Sequence, residues 1–251
     1  MFAGILVLAA ALLLGKSSAS LSPAPLGRRA STVVLGDGVT PASGSINSNL
    51  KWQSATGEIV AGPCPGSTAY PIAISDCYQL TLSANTSEML DQGHLDSPRQ
   101  RAEFLTPAKA DGEAFAYHWR MYLSSKTGTN SSFFHLMQVI SRDSSPEPVV
   151  TLDAVNNMVL IKDTRRPDGT KPSIPLDQFT DRTTVHTIKG VYGLNGSLDY
   201  RVSDLNGTLL LRYTVTKGDM GSNASVKFGT YRAVYDGMTA VKAAVGDFGL
   251  N

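Results

Sequence analysis

Charged residues are scarce in this chain, and neither sign is in excess. They make up 17% of the 251 residues, against roughly 25% in an average globular protein, and 22 basic residues face 21 acidic ones for a net charge of +1. This balance excludes a general nucleic-acid binder, which needs a basic excess. With 42% hydrophobic residues, the chain is too apolar to be disordered and is long enough to bury one large core.

Glutamate is rarer still. Only five of the 21 acidic residues are Glu, namely Glu58, Glu88, Glu103, Glu113 and Glu147. A retaining glycosidase needs two carboxylates about 5–5.5 Å apart, typically two Glu on one strand face. No Glu-x-Asp-x-x-Glu or Glu-x-x-x-Glu run occurs, which argues against hydrolysis by paired carboxylates. Gly-x-Ser-x-Gly and phosphate-loop motifs are also missing, and no segment has the spacing of an EF-hand loop.

The first residues are apolar, but they are too few to cross a membrane. Residues 2–14 are apolar, whereas a spanning helix needs about 20 such residues. Small residues follow at 17–20, as in a signal-peptide cleavage region. We therefore predict a signal peptide at 1–20, a propeptide or flexible linker at 21–44 and one domain at 45–251. Loss of residues 1–29 removes three basic residues and no acidic one, which leaves a net charge of −2.

The cysteines and the glycosylation motifs agree with export. Cys64 and Cys77, the only two cysteines, lie in a Pro- and Gly-rich stretch and are too few for a structural zinc site. In an oxidising compartment they predict one local disulfide, which stabilises the fold by roughly 3 kcal/mol. Five Asn-x-Ser/Thr motifs predict a secreted, extracellular glycoprotein. The acceptor residues are Asn85, Asn130, Asn195, Asn206 and Asn223.

The body of the chain consists of short apolar runs with a period of two, separated by turn residues. Such a pattern predicts strands, and Asn195-Gly196 and Asn206-Gly207 are hairpin signals. We expect an all-β fold, a β-jelly roll or concanavalin-like sandwich of two antiparallel sheets. A short helix is predicted near 87–91, and the Ala-containing run 240–248 fits either a strand or a helix. The candidate strands are 78–82, 101–105, 114–123, 133–141, 149–152, 158–162, 183–191, 197–202, 208–216, 225–235 and 240–248.

Several predicted strands combine an apolar face with a face of cations and aromatic hydroxyls. Alternation defines these polar faces, because successive side chains point to opposite sides of a sheet. They hold His118, Arg120 and Tyr122 on one strand, Arg99, Arg101 and Glu103 on a second, and Lys227, Gly229 and Tyr231 on a third. A concave sheet that binds an acidic sugar polymer would explain them. Parity places His135 opposite to Gln138 and predicts a structural role for His135, while Gly229 indicates close approach of substrate or another backbone.

Three segments in this order resemble the jelly-roll polysaccharide lyases. They are 99–104 (RQRAEF), 134–139 (FHLMQV) and 227–232 (KFGTYR). In the alginate lyases of that group the matching motifs are R-[ST]-E-[LV], Q-[IV]-H and K-A-G-[VI]-Y-N-Q. Here Ile140 stands in place of the His, and Arg232-Ala233 replaces Asn-Gln. The upstream His94 and the K-F-G-x-Y-R variant are more similar to the glucuronan lyase family, polysaccharide lyase family 20, over residues 45–251.

The resemblance implies β-elimination on a β-1,4-linked polyuronate, with glucuronan the preferred substrate. Gln138 and Arg101 would neutralise the C6 carboxylate, because the C5 proton leaves only when the developing enediolate charge is held. Tyr231 would act as base or as acid toward the leaving oxygen, with cations nearby, and His94 is the candidate for a separate base. Arg101 and Glu103 also fit a structural ion pair. Substrate contacts are implied for Arg99, Glu103, His118, Arg120, Lys227 and Arg232.

Other expectations concern partners, cofactors and rival functions. The chemistry requires no cofactor or catalytic metal, although a structural calcium ion held by loop carbonyls and Asp is compatible with a secreted β-sandwich. We expect a monomer whose partner is an acidic polysaccharide, with neither nucleic acid nor membrane as a partner. A non-catalytic lectin-like protein would use the same basic, aromatic groove, and an alginate lyase would use the same mechanism. Fold alone does not separate these functions.

Overall fold

Strands make up nearly all of the regular secondary structure in the described residues. The computed structural model describes residues 31–64, 66–88, 91, 94, 96–143, 146–169 and 171–250. The predicted signal peptide at 1–20 and residues 21–30 of the predicted linker lie outside these ranges. Within them, no helix is long and apolar enough to span a membrane. The strands are β1 (Val33–Asp37), β2 (Ala42–Asn47), β3 (Leu50–Ala55), β4 (Gly57–Ala61), β5 (Cys77–Leu82), β6 (Arg99–Leu105), β7 (Ala114–Leu123), β8 (Phe134–Ser141), β9 (Glu147–Val155), β10 (Met158–Asp163), β11 (Ser173–Pro175), β12 (Thr183–Val191), β13 (Gly196–Ser203), β14 (Leu209–Gly218), β15 (Ser225–Ala233) and β16 (Val241–Leu250).

Across the described residues, these strands form two antiparallel sheets of eight. The first sheet has the order β1-β4-β5-β16-β7-β12-β13-β14, and the second has the order β11-β10-β9-β8-β15-β6-β3-β2. Strands distant in sequence are neighbours in both sheets, since β16 lies between β5 and β7, and β15 lies between β8 and β6. The predicted all-β jelly-roll sandwich is confirmed.

The inner faces of the two sheets pack through aromatic side chains. Trp119 of β7 stacks on Phe228 of β15 with ring centroids 4.6 Å apart, and Phe104 of β6 stacks on Phe228 at 6.0 Å. All three rings are fully buried, and each such burial stabilises the fold by roughly 1.5–3 kcal/mol. Because the inner face of the second sheet is packed in this core, only its outer face is available for a ligand.

The N-terminal boundary of the domain differs from the prediction. Residues 33–37, which fall in the predicted linker, form β1 and pair with β4 at the edge of the first sheet. Part of β2 also precedes residue 45. The sheets therefore begin upstream of the predicted start, because backbone pairing at a sheet edge does not require the side chains to be buried: Val33 and Val34 remain about half-exposed.

The ambiguous C-terminal run is a strand. It pairs with β5 on one side and β7 on the other, and this central position settles its conformation. The helix predicted near 87–91 includes residues 89 and 90, which are outside the described residues.

The predicted disulfide is confirmed. Cys64 and Cys77 are bonded across 13 residues of sequence, with their Cα atoms 5.9 Å apart, and join the end of β4 to the start of β5. Of the predicted glycosylation acceptors, Asn130 is half-buried and the others are exposed; glycosylation itself stays a prediction. The exposed acceptors are Asn85, Asn195, Asn206 and Asn223.

Candidate active site

A bulge in β8 brings His135 and Gln138 to one face of the second sheet. His135 pairs with Asp153 of β9 and Met137 pairs with Leu152, so Leu136 is an extra residue in the ladder. An inserted residue reverses the alternation beyond it, because side chains otherwise change face at every position. The prediction that His135 lies opposite to Gln138 was therefore wrong.

Gly229 allows β15 to follow this bulge. Its φ is +137°, and a Cβ at this position would lie 2.5 Å from the carbonyl oxygen of Ala102 in β6. Of the two approaches predicted for this glycine, the structure shows close approach of another backbone. The register changes between Phe228 and Tyr231, which places Tyr231 opposite His135.

Tyr231 lies at the centre of the outer face of the second sheet. Arg99 donates a hydrogen bond from Nη1 to the phenolic oxygen at 2.9 Å, and the Arg101 guanidinium lies 4.2 Å from the ring centroid. The rings of Phe133 and His135 lie 5.1 and 5.8 Å away. The two guanidinium groups stabilise negative charge on the hydroxyl, and the rings fix the orientation of the tyrosine.

Glu103 connects the other polar groups of this face. Its carboxylate is 1% exposed and accepts hydrogen bonds from Gln138 Nε2 at 2.7 Å and Gln53 Nε2 at 3.1 Å. Lys227 Nζ and Arg101 Nε lie 3.5 and 3.6 Å from its Oε2. Burial raises the pKa of Glu103, but the charges of Lys227 and Arg101 and the Gln138 bond outweigh it, so the pKa is below its usual value.

For the pKa of Lys227, burial outweighs the neighbouring charge. Burial lowers the pKa of its ammonium group, and the charge of Glu103 offsets this only in part. The pair is therefore mutually dependent, since removal of either charge leaves the other one buried and uncompensated.

His135 is held by a second buried carboxylate. Its Nδ1 lies 2.6 Å from Oδ1 of Asp153, which is 1% exposed, and Lys162 Nζ of β10 lies 2.8 Å from the other carboxylate oxygen. Burial raises the pKa of Asp153, but His135 and Lys162 outweigh burial and hold that pKa below its usual value.

Cations outnumber carboxylates around Tyr231 and Glu103. Among the described residues, Arg142 extends this group: its Nε donates to Ser225 Oγ at 2.9 Å, while its Nη2 is buried without a hydrogen-bond partner. Burial lowers the Arg142 pKa, and the charge of Glu103 counteracts this. A buried guanidinium N–H normally has a partner, so this arrangement favours an anionic ligand. Four cations, Arg99, Arg101, Arg142 and Lys227, stand against Asp91 and Glu103.

The structure brings most of the predicted site residues together. Tyr231, Gln138, Arg101, Arg99, Glu103 and Lys227 all lie on the outer face of the second sheet. His94 lies in the turn just before β6, where its backbone N–H donates to Asp91 O at 2.9 Å. Asp91 in turn accepts from Arg101 Nη2 at 2.9 Å. The role predicted for His94 stays a prediction.

Three of the predicted substrate-binding residues lie elsewhere. His118 and Arg120 are on the outer face of β7 in the first sheet, and Arg120 pairs there with Asp247 at 3.2 Å. Arg232 points to the opposite side of β15 from Tyr231, is 0% exposed, and donates to Gln100 Oε1 and to the carbonyls of Ser83 and Thr239. The expectation that these residues line the same groove is corrected: sheet assignment separates the first two, and strand parity buries Arg232.

Sequence reasoning missed Asp153 and Gln53, and it misplaced His135. The sequence held one signal for Asp153, an acid within the largely apolar run of β9. An acid buried in such a strand needs a partner. Nothing in the sequence marks the bulge at Leu136. Among the described residues there is no group of three or more His, Cys, Asp or Glu side chains placed to hold a metal ion. A structural calcium ion stays a prediction.

Comparisons with known proteins found matches by structure and none by sequence. No protein-family model and no curated protein matches the sequence. A double variant of the family 7 alginate lyase A1-II′, in complex with the substrate GGMG, matches with a TM-score of 0.53 and 13% identity, over 81% of this chain and 92% of that chain. A double-cysteine variant and another crystal structure of A1-II′ give TM-scores of 0.54 and 0.52 at 12% and 14% identity, each over 81% of this chain and 94% of the other. The chain thus shares the jelly-roll fold of the family 7 alginate lyases.

Proposed function

We propose that the protein is a polysaccharide lyase that cleaves a β-1,4-linked polyuronate by β-elimination. The observation that carries this proposal is the tyrosine hydroxyl held by Arg99 on a sheet face that also presents His135, Gln138 and an excess of cations. Solved lyase structures share the fold, and A1-II′ has been crystallised with substrate. The cations suit a polymer that carries one carboxylate per sugar.

The first requirement of the reaction is neutralisation of the C6 carboxylate. Gln138 commits one N–H of Nε2 to Glu103 and has a second for the substrate. Arg101 and Arg142, whose Nη2 has no hydrogen-bond partner among the described residues, supply cationic donors on the same face. Because these groups are preorganised by Glu103 and Ser225, they stabilise the enediolate charge without reorganisation.

The second requirement is proton transfer at C5 and at the glycosidic oxygen. His135 accepts the C5 proton, and the C–H electron pair becomes the C4=C5 double bond. The C4–O4 bond breaks with its electrons on O4, which takes a proton from the Tyr231 hydroxyl. Arg99 stabilises the phenolate that remains, and solvent exchange returns both residues to their starting protonation states.

Glucuronan is the substrate we propose first. It is supported by the K-F-G-x-Y-R motif and by Ile140 at the position of the alginate-lyase histidine; this Ile140 side chain is buried. Alginate is the second candidate, because the structures sharing the fold include alginate lyases. Secretion and glycosylation belong to the same proposal and are supported by the N-terminal apolar run, the disulfide and the exposed sequons, while the monomeric state stays a prediction.

A substrate panel tests the proposal. Purified protein is mixed separately with glucuronan, alginate, heparin-type chains and neutral β-glucans, and ultraviolet absorbance from the new double bond is followed. We expect a rise on glucuronan and none on neutral glucans. No rise on any polyuronate with folded protein would contradict the lyase function. Binding without a rise would indicate a lectin, and new reducing ends without a rise would indicate a hydrolase.

Replacement of Tyr231 by Phe tests the role of the hydroxyl. Loss of the proton donor to O4 should lower kcat by about 10²–10⁴-fold, the usual contribution of general acid catalysis. Substrate binding should change little, because Asp91 and Glu103 also hold Arg101, and Glu103 holds Gln138. Turnover and polyuronate binding are measured in parallel, and an active Tyr231→Phe protein would overturn the assignment.

A further inference from the structure

His135 and Asp153 face each other directly across β8 and β9. The register pairs the two residues, and Nδ1 lies 2.6 Å from Oδ1. Phe133 stacks on the imidazole at 4.8 Å, and the Tyr231 ring lies 5.8 Å away. The ring orientation is therefore determined by three neighbours, while the imidazole keeps a partly exposed edge: the side chain is 13% exposed.

The chemistry of Asp153 dictates which ring nitrogen carries the proton. The hydrogen bond with His135 makes the largest contribution to keeping the carboxylate ionised despite its burial, and Lys162 Nζ, 2.8 Å from the other oxygen, adds a smaller one. An ionised carboxylate accepts hydrogen bonds only, so Nδ1 of a neutral His135 must donate. The remaining nitrogen, Nε2, then carries a lone pair, and it has no hydrogen-bond partner among the described residues.

The groups that face this imidazole come from four strands. Tyr231 lies beside it on β15, and Asp153 and Lys162 lie on β9 and β10. Arg99 and Arg101 of β6 contact the far side of Tyr231. Among these groups, only Asp153 accepts a hydrogen bond from the ring.

We propose that Asp153 is a positioning residue, which holds His135 as the Nδ1-protonated tautomer and leaves Nε2 as a proton acceptor on the outer face of the second sheet. This inference rests on the proposed function, because removal of the C5 proton requires a proton acceptor. Asp153 itself touches no substrate, since it is covered by His135 and Lys162. A carboxylate that orients a histidine base has the same role in hydrolases with a Ser-His-Asp triad.

The tautomer can be measured directly in the full-length protein. Two-bond ¹H–¹⁵N correlation spectra of protein labelled with ¹⁵N-histidine distinguish the two neutral forms, and a His135→Asn variant identifies the signal among the four histidines. We expect protonated Nδ1 and unprotonated Nε2 in the wild-type protein above neutral pH. A protonated Nε2 would overturn the proposal, whether or not the protein shows lyase activity.

Two matched variants test the consequence for turnover. Asp153→Asn keeps the shape but offers an amide that permits the wrong tautomer, and we expect the His135 signal to change and kcat to fall by about 10²–10⁴-fold with little change in KM. Lys162→Met removes the ion pair but leaves the Asp153–His135 bond, and we expect kcat within about 3-fold of wild type.

The outcomes separate this inference from the proposed function. If Asp153→Asn keeps wild-type turnover, or if Lys162→Met loses as much as Asp153→Asn, the carboxylate is a structural ion-pair partner and the inference fails. If no polyuronate is cleaved by the wild-type protein, the lyase proposal fails, while the tautomer measurement still decides the arrangement at His135. If Asp153→Asn does not fold, the wild-type spectrum still tests the inference, because it shows which nitrogen of His135 carries the proton.

Discussion

Glu103 is the residue on which the polar groups of the second sheet converge. One buried carboxylate accepts from two glutamine amides and balances two cations, so it sets the position of Gln138, Arg101 and Lys227 at once. The sequence allowed either a structural ion pair or a substrate contact for this residue. Its four polar partners and its negative charge favour a supporting role in the site, since a carboxylate facing a polyanion would repel it.

Replacement of Glu103 by Gln should destabilise the fold by about 3–5 kcal/mol at pH 7, the usual result of breaking a buried ion pair by removing one partner. Lys227 then stays buried without its carboxylate. Urea unfolding measures the loss. Glu147→Gln is the control, because Glu147 pairs with Arg165 on the surface with half of its side chain exposed, where a pair contributes about 0–1 kcal/mol.

The loss of unfolding free energy caused by Glu103→Gln should become smaller as the pH falls. The folded-state pKa of Glu103 is below its usual 4.5, so its stabilisation is fully present above that value and is lost as the pH falls through the folded-state pKa. The difference in unfolding free energy between wild type and Glu103→Gln should therefore narrow on acidification. A difference below about 1 kcal/mol at pH 7 would contradict the assigned role of Glu103.

At the scale of elements, the decisive feature is the bulge shared by β8 and β15. It turns His135 toward Tyr231, and it depends on Gly229, whose φ of +137° is a conformation that favours glycine. The same glycine lets β15 approach β6 closely. Three strands thus meet at one backbone position, which links the geometry of the site to the packing of the sheet.

Replacement of Gly229 by Ala should both destabilise the protein and reduce its activity. Backbone strain and overpacking against Ala102 each cost about 1–3 kcal/mol, and relief of the clash would shift His135 relative to Tyr231. Gly207→Ala is the matched control: its φ is +84°, but no atom lies within 4 Å of the added Cβ. Thermal unfolding and turnover are compared, and equal effects of the two substitutions would contradict a special role for the bulge.

At the scale of the whole molecule, the sandwich separates the disulfide from the site. The disulfide belongs to the first sheet, whereas Tyr231 and Glu103 lie on the outer face of the second. The aromatic core between the sheets isolates the two. His118 and Arg120 are separated from the site for the same reason, although their residue types match it.

Removal of the disulfide should therefore lower stability without changing the chemistry. A Cys64→Ala, Cys77→Ala double variant should lose about 3 kcal/mol, which corresponds to a fall in Tm of roughly 6–12 °C for a domain of this size. Turnover at 25 °C should remain near wild type, because neither cysteine contacts the second sheet's outer face. Calorimetry and the absorbance assay test both parts, and a folded but inactive double variant would contradict the separation.

The sequence by itself determined the features that depend on local order. Period-two alternation determined the strands and the fold class, the short spacing of Cys64 and Cys77 determined their pairing, and the Lys227-x-Gly229-x-Tyr231 spacing placed these residues on one face of β15. These properties follow from strand geometry within a few residues. Six of the predicted site residues lie together because their strands, β6, β8 and β15, are neighbours in one sheet.

Only the tertiary structure decided which faces meet and where alternation breaks. Strand periodicity cannot say which of two sheets a strand joins, so His118 and Arg120 were assigned to the wrong groove. It also assumes an unbroken ladder, and a bulge at Leu136 is defined by pairing with β9, far along the chain. Contacts between strands distant in sequence decide three features that the sequence does not specify. These are the placement of His135, its pairing with Asp153 and the burial of Arg232.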